Sequence, residues 1–188
     1  MGVTKIPQYK YGKQTTPIDF KTFDRLMKAG LFCAGDYHRS FLALLYWLGI
    51  RVSTALELKR ESFTITPDIL FVKIPRKKRG LDRGPLELAR EWPYVDLIMH
   101  QLKGTPPESY IWNFCRTTAW LIVKRVSPKK YPHYFRLNRA TQMLDQHATI
   151  PEMKHHFGWK RTTTIDSYIG YSRQHSRQAR EHIGKEVS

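Results

Sequence analysis

Breaking a phosphodiester bond with side chains alone makes three demands on a protein. Fixed cations must neutralise the non-bridging oxygens, and arginine suits this because its planar fork grips two oxygens and stays charged. A nucleophile must lose a proton, and the leaving oxygen must gain one. The sequence offers Arg51, the cationic run containing Lys77 and Lys78, His133 and Arg136 spaced as H-x-x-R, and Tyr168 nine residues after Trp159. On a helix, His133 and Arg136 at i and i+3 face the same way, so both can reach one phosphate. The stretch from His155 to Tyr168 adds two histidines, an indole, two cations and a hydroxyl-rich run. Alone it is ambiguous, because a tyrosine near a chain end is more often a packed or surface aromatic than a nucleophile.

Composition supplies the partner. The 188 residues carry 32 Lys and Arg against 16 Asp and Glu, a formal net charge of +16 with a sequence pI near 10.0. Such an excess repels itself unless an anion joins it, and nucleic acid phosphates, those of double-stranded DNA among them, are the usual partner. Other basic nucleic-acid-binding proteins share this signature, so charge alone says nothing of catalysis. Hydrophobic residues at 41% and aromatics at 13% are globular values, and the length favours one core. Cys33 and Cys115 form no metal-type spacing, and reduced thiols are expected. No metal or other cofactor is expected. The apolar run Phe41 to Ile50 is half the roughly 20 residues a bilayer span needs, so it reads as a buried helix. The N-terminus has no signal-peptide core, which favours a cytoplasmic, DNA-associated protein.

The elements expected to position these residues are mostly helical. Residues 1–15 read as a basic arm. Thr16-Pro17-Ile18-Asp19 opens a helix through Phe20, Phe23, Leu26 and Met27 that Gly30 stops. A buried helix over 38–48 ends at Gly49, and Ser53 can cap a short helix after it. This places Arg51 at a corner beside the most apolar stretch of the chain, and an Arg buried there needs an anionic partner. Strands are expected near Phe63 to Ile65, Ile69 to Ile74 and Pro85 to Leu88, the last two joined by the cationic tip Arg76 to Gly84. Residues 90–125 read as helical with a break at Pro106-Pro107, His133 to Ala148 as a helix, and Ile150 to Gly158 as another. Ala179, Ile183 and Val187 recur every four residues, a narrow stripe suited to docking on this chain or a neighbouring protomer. The expected fold class is mostly α with a small antiparallel β-sheet.

In this order the polar boxes resemble the catalytic domain of the tyrosine recombinase, or phage integrase, family. LLYWLGIRVSTALEL is similar to the first arginine box, PHYFR to the H-x-x-R box, and FGW followed by Tyr168 to the closing segment, with the cationic hairpin in the place of a catalytic lysine. The resemblance covers roughly residues 16–171, and leaves 172–188 as a tail helix. It implies that Arg51 and Arg136 clamp the scissile phosphate, Trp159 donates its indole N–H to a phosphate oxygen, and His133 assists proton transfer at the nucleophile. A hairpin lysine would protonate the leaving 5′ oxygen, and Tyr168 would form a 3′-phosphotyrosyl intermediate without metal or ATP. It further implies site-specific DNA recombination or integration, as in mobile elements, and self-association as a dimer or tetramer on DNA.

Alternatives stay open at two positions. Lys77 is favoured over Lys78 by matching VKIPRK to the second hairpin strand, whereas aligning Arg83 selects Lys78. Tyr168 is favoured over Tyr171 by its spacing from Trp159. Thr54 replaces an acidic residue usual in the family, leaving open what orients Arg51, and Leu137 stands where many members have a second histidine. The family's separate core-binding domain has no counterpart in residues 1–15, so the chain reads as a catalytic fragment or a minimal variant. Competing readings are type IB topoisomerase-like relaxation, a non-catalytic basic DNA-binding module, and a metal-dependent nuclease built on Glu57-Leu58-Lys59 and Pro67-Asp68, whose order is reversed for such a site.

Overall fold

A computed structural model describes residues 18–29, 35–75, 83–126 and 133–169. The N-terminal arm, Gly30, Cys33, the hairpin tip with Lys77 and Lys78, Tyr171 and the tail lie outside them. The described chain has eight α-helices and a three-stranded antiparallel sheet, matching the expected class.

Helix α1 (Phe20–Lys28) leads to α2 (Gly35–Leu48), and α2 is the hub. Its apolar residues surround the axis, so the helix must be enclosed on all sides. Phe41, Leu42, Leu44, Leu45 and Tyr46 are all buried beneath α1, α4 and the sheet. Phe23 of α1 stacks on Tyr46 at 4.0 Å. The start of α1 differs from the sequence expectation: its cap is Asp19, whose carboxylate accepts the Thr22 N–H at 2.7 Å. A carboxylate there meets both the free N–H groups and the positive helix end.

Short helix α3 (Val52–Leu56) precedes β1 (Phe63–Ile65), β2 (Ile69–Val72) and β3 (Leu86–Ala89), in sheet order β1-β2-β3. Val72 pairs with both Phe63 and Leu86, and Leu70 with Leu88, so one register turns all five of these side chains toward the core. Ser53 lies inside α3 rather than capping it; Arg51 is the cap residue.

Helix α4 (Val95–Leu102) begins five residues later than the helical reading from residue 90. Pro93 disfavours helical backbone at Trp92, and Tyr94 adopts a left-handed φ of 68°, so the helix can begin only beyond them. Helices α5 (Arg116–Val126) and α6 (Tyr134–Asp145) follow, α6 ending before His147 at φ 63° rather than at Ala148. Helix α7 (Ile150–Phe157) is enclosed by two strong signals. Thr149 and Glu152 form a reciprocal capping box, and Gly158 takes the left-handed C-terminal conformation at φ 66°. Helix α8 (Thr163–Ile169) completes the described chain.

The apolar residues separate into two cores. The larger joins α1–α5, the sheet and Phe135. The smaller contains Leu137, Ala140, Leu144, Met153, Phe157, Trp159, Ile165 and Tyr168. Phe135 and Leu137 thus insert into different cores, and Arg136 lies at the seam between them.

Candidate active site

The site is built where two helices end. At the end of α2, Gly49 reverses the chain with a φ of 58°, and a Cβ there would stand 2.6 Å from the Arg139 Cβ. Only glycine meets both conditions. Ile50 then turns into the core, and Arg51 follows in extended conformation with its side chain exposed. This corrects the expectation that Arg51 is buried, since the turn at Gly49 brings it to the surface; of the two anionic partners expected there, an internal carboxylate or a ligand phosphate, only the second stays open. Among the described residues no carboxylate pairs with Arg51, and Thr54, which stands at the family's acidic position, is buried in α3.

The buried cation is Arg136, at 2% exposure. It donates Nη1–H to the Gly49 carbonyl at 3.4 Å and Nη2–H to the Phe157 carbonyl at 3.0 Å. Both acceptors sit at helix C-termini, where carbonyls lack helical partners and the dipole is negative. Its guanidinium also lies 4.7 Å from the Phe157 ring centroid and 5.2 Å from that of Trp159. Two backbone dipoles and two ring faces therefore replace the carboxylate expected for a buried cation. Burial first, then repulsion by Arg51, lowers the Arg136 pKa to about 10, while the Tyr168 phenol beside it works the other way. Arg136 is a full cation at neutral pH.

Tyr168, at 8% exposure, closes a column of rings. His156 packs edge-on against Phe157 at 4.7 Å, Phe157 stacks on Trp159 at 4.4 Å, and Trp159 stacks on Tyr168 at 5.1 Å. The phenol oxygen is 3.5 Å from His133 Nε2. His133 is the N-cap residue of α6, and the Arg136 N–H donates to its carbonyl. The residue is exposed overall, yet desolvation by the protein around its ring is the largest cause lowering its pKa, with Arg136 and Arg51 next. Its exposure limits that shift, but every cause favours the neutral ring, which can accept a proton from a phenol.

His156 has a structural part. Its Nε2–H donates to the Leu48 carbonyl at 2.8 Å, the carbonyl fixing which ring nitrogen carries the proton. Burial, with the charge of Arg139, lowers its pKa to about 3, so it is neutral at working pH. The α7 C-terminus is thereby tied to the α2 C-terminus. His155 is exposed and its Nε2 accepts the Gly84 N–H at 3.3 Å, so it too has a scaffold contact.

Arg51, His133, Arg136, Trp159 and Tyr168 are thus brought to one seam. Lys77, with its alternative Lys78, lies outside the described residues, and so does Tyr171. Sequence reasoning assigned Arg83 no role of its own: it stood only in the cationic turn and as the alignment position that would select Lys78. Its Nη1–H donates to the His156 carbonyl, and a Cβ on Gly158 would stand 3.8 Å from its Cδ. Burial and then repulsion by Arg51 lower the Arg83 pKa to about 10. Among the described residues no group of three His, Cys, Asp or Glu side chains stands together as a metal site.

The described chain is similar to solved DNA recombinases. XerA recombinase matches over 94% of this chain and 66% of its own length, at a TM-score of 0.65 and 16% identity. The bacteriophage HP1 integrase catalytic domain matches over 89% of this chain and 95% of its own, at 0.56 and 15%. The fold is that of a tyrosine recombinase catalytic domain. XerH site-specific recombinase, in a post-cleavage complex with a palindromic difH substrate, also matches at 0.66 and 15% identity, over 87% of this chain. The chain spans 52% of XerH and 66% of XerA, against nearly all of the HP1 integrase catalytic domain. No family model and no curated protein sequence matches the chain.

Proposed function

We propose that this chain is a site-specific DNA recombinase or integrase that cleaves and rejoins strands through Tyr168. The observation that carries the reading is Arg136: a guanidinium at 2% exposure, held by backbone carbonyls, with no carboxylate beside it among the described residues. The carbonyls and rings hold the guanidinium without cancelling its net charge, so it can still take an anion, and it lies beside a phenol and a neutral imidazole. A phosphate bridging Arg51 and Arg136 would relieve their mutual repulsion and place phosphorus within reach of the Tyr168 oxygen. XerH is described with its difH substrate and Tn1549 integrase with circular intermediate DNA, and the +16 charge of this chain suits the same class of partner.

In the proposed reaction the Tyr168 oxygen attacks phosphorus while its proton passes to His133 Nε2. The bond to the 5′ oxygen breaks, and that oxygen takes a proton from Lys77 in the hairpin. The product is a 3′-phosphotyrosine and a free 5′-hydroxyl, and attack by another 5′-hydroxyl reverses it. Bond energy is conserved in the intermediate, so no ATP is needed. A phenol of ordinary pKa near 10 costs roughly 4 kcal/mol to ionise at neutral pH, a deficit that His133 and the two arginines would offset. Trp159 would donate its indole N–H to a non-bridging oxygen. Assembly as a dimer or tetramer on DNA, with the tail docked on a neighbour, belongs to the same proposal.

A duplex nicked just downstream of the scissile phosphate tests it, because loss of the short fragment traps the covalent intermediate. The expected result is a denaturation-resistant protein–DNA adduct that forms equally in EDTA. No adduct across the candidate sites of the chain's own genomic flanks would leave the basic binding module as the better reading.

A further inference from the structure

Two arginines grip the same turn from different elements. The Phe157 carbonyl accepts from Arg136 and the preceding His156 carbonyl accepts from Arg83. The guanidinium of Arg83 lies along Gly158, the residue joining this turn to Trp159, with Cζ and Nε each 3.9 Å from where a Cβ would stand. Gly158 takes a left-handed φ of 66°, so the direction in which Trp159 leaves α7 depends on this residue's conformation. Arg83 itself lies three residues before β3, at the foot of the cationic hairpin. It is half-buried and feels the charge of Arg51, and among the described residues no carboxylate pairs with it.

We propose that Arg83 is a positioning residue that clamps the hairpin to the α7 C-terminus and so sets the placement of Trp159 relative to Arg136 and Tyr168. This rests on the strand-cleavage reading above. The guanidinium suits the task because one N–H donates to the carbonyl while the rest of the planar group lies against Gly158. The backbone N–H of Gly84 meeting His155 Nε2 at 3.3 Å adds a second tie between the same two segments.

The test compares Arg83→Ala and Arg83→Lys with the wild-type chain on the nicked duplex, measuring the adduct-forming rate at saturating DNA. DNA affinity and the thermal midpoint are measured alongside. Loss of positioning should slow Arg83→Ala about 100-fold at saturation, the cost of a misplacement near 1 Å. Affinity should stay within about threefold, since a positioning group acts on the chemical step rather than on uniform binding. Lysine supplies one donor for the His156 carbonyl but no planar group to lie against Gly158, so Arg83→Lys should recover part of the rate with an unchanged midpoint. If Arg83→Ala does not fold, a slower Arg83→Lys with a wild-type midpoint still supports the clamp. A wild-type rate in Arg83→Ala overturns the clamp and leaves strand cleavage standing. Weaker binding with a reduced salt slope and an unchanged saturated rate makes Arg83 a plain phosphate contact, which also overturns it. A lowered midpoint that accounts for the whole loss, with no recovery in Arg83→Lys, overturns it as well. A wild-type chain that forms no adduct overturns the cleavage reading and the clamp with it.

Discussion

Acid should loosen the site through one ring, His156. Its folded-state pKa is about 3 against 6.5 for an unperturbed histidine, because burial and the nearby charge of Arg139, Arg83 and Arg136 all oppose protonation. The folded value is the lower one, so between these two pH values the unfolded chain binds the extra proton. The stabilising effect is complete above pH 6.5 and is lost as pH falls toward 3. At 1.36 kcal/mol per unit the interval corresponds to about 5 kcal/mol, and local opening that lets the ring reach water would reduce it to about 3 kcal/mol. That is a large fraction of the 5–15 kcal/mol by which typical domains are stable. Asp24 and Glu152 also have lowered pKa values and weaken the fold in acid, so the comparison needs a variant. His156→Gln keeps an N–H donor for the Leu48 carbonyl and does not titrate. Urea unfolding from pH 7.5 to 4 should show the wild-type chain losing about 2–3 kcal/mol more than His156→Gln over the range. Equal slopes in the two chains would refute a neutral, buried His156 tying α7 to α2.

The remaining expectations concern the seam itself. Gly49→Ala should destabilise the fold by about 2–4 kcal/mol, read as a fall in thermal midpoint, since it combines a left-handed φ with a contact of 2.6 Å. Arg136→Lys should cut adduct formation at least about 100-fold, because an ammonium cannot span the Gly49 and Phe157 carbonyls and still present a fork to phosphate. The cleavage rate should be flat near pH 7 and fall only well below pH 6.5, because His133 must be neutral to take the proton and its pKa is lowered from that value. A rate already halved at pH 7 would count against His133 in that role.

What the sequence made legible depended on whether a feature was local. The apolar Phe41 to Ile50 run had to become an enclosed helix, and Thr149, Glu152 and Gly158 marked both ends of α7 by caps that act within a few residues. Runs of strand-forming residues at Phe63 to Ile65, Ile69 to Ile74 and Pro85 to Leu88 marked the three strands, and the structure pairs them as one antiparallel sheet. Arg51 was misjudged because adjacency to an apolar run was taken for burial, whereas the left-handed Gly49 turns the chain before Arg51 is reached. What holds Arg136 was invisible for a different reason. Its acceptors are main-chain carbonyls at the ends of α2 and α7, and carbonyl acceptors leave no mark on residue identity. The same holds for Arg83, whose partner is the His156 carbonyl. Asp19 was read as an acid inside the first turn of a helix opened at Thr16-Pro17, but it directly precedes the first apolar residue of the helix, Phe20, and its carboxylate is the cap.

The central claim is that the Tyr168 oxygen is the atom joined to DNA. The adduct on the nicked duplex can be digested with trypsin and nuclease, and the peptide Thr162–Arg173, which holds both Tyr168 and Tyr171, sequenced by fragmentation mass spectrometry. The account predicts a nucleotide attached through its 3′-phosphate at Tyr168, and no adduct from Tyr168→Phe. Attachment at Tyr171, linkage through a 5′-phosphate, or an adduct that persists in Tyr168→Phe would contradict it.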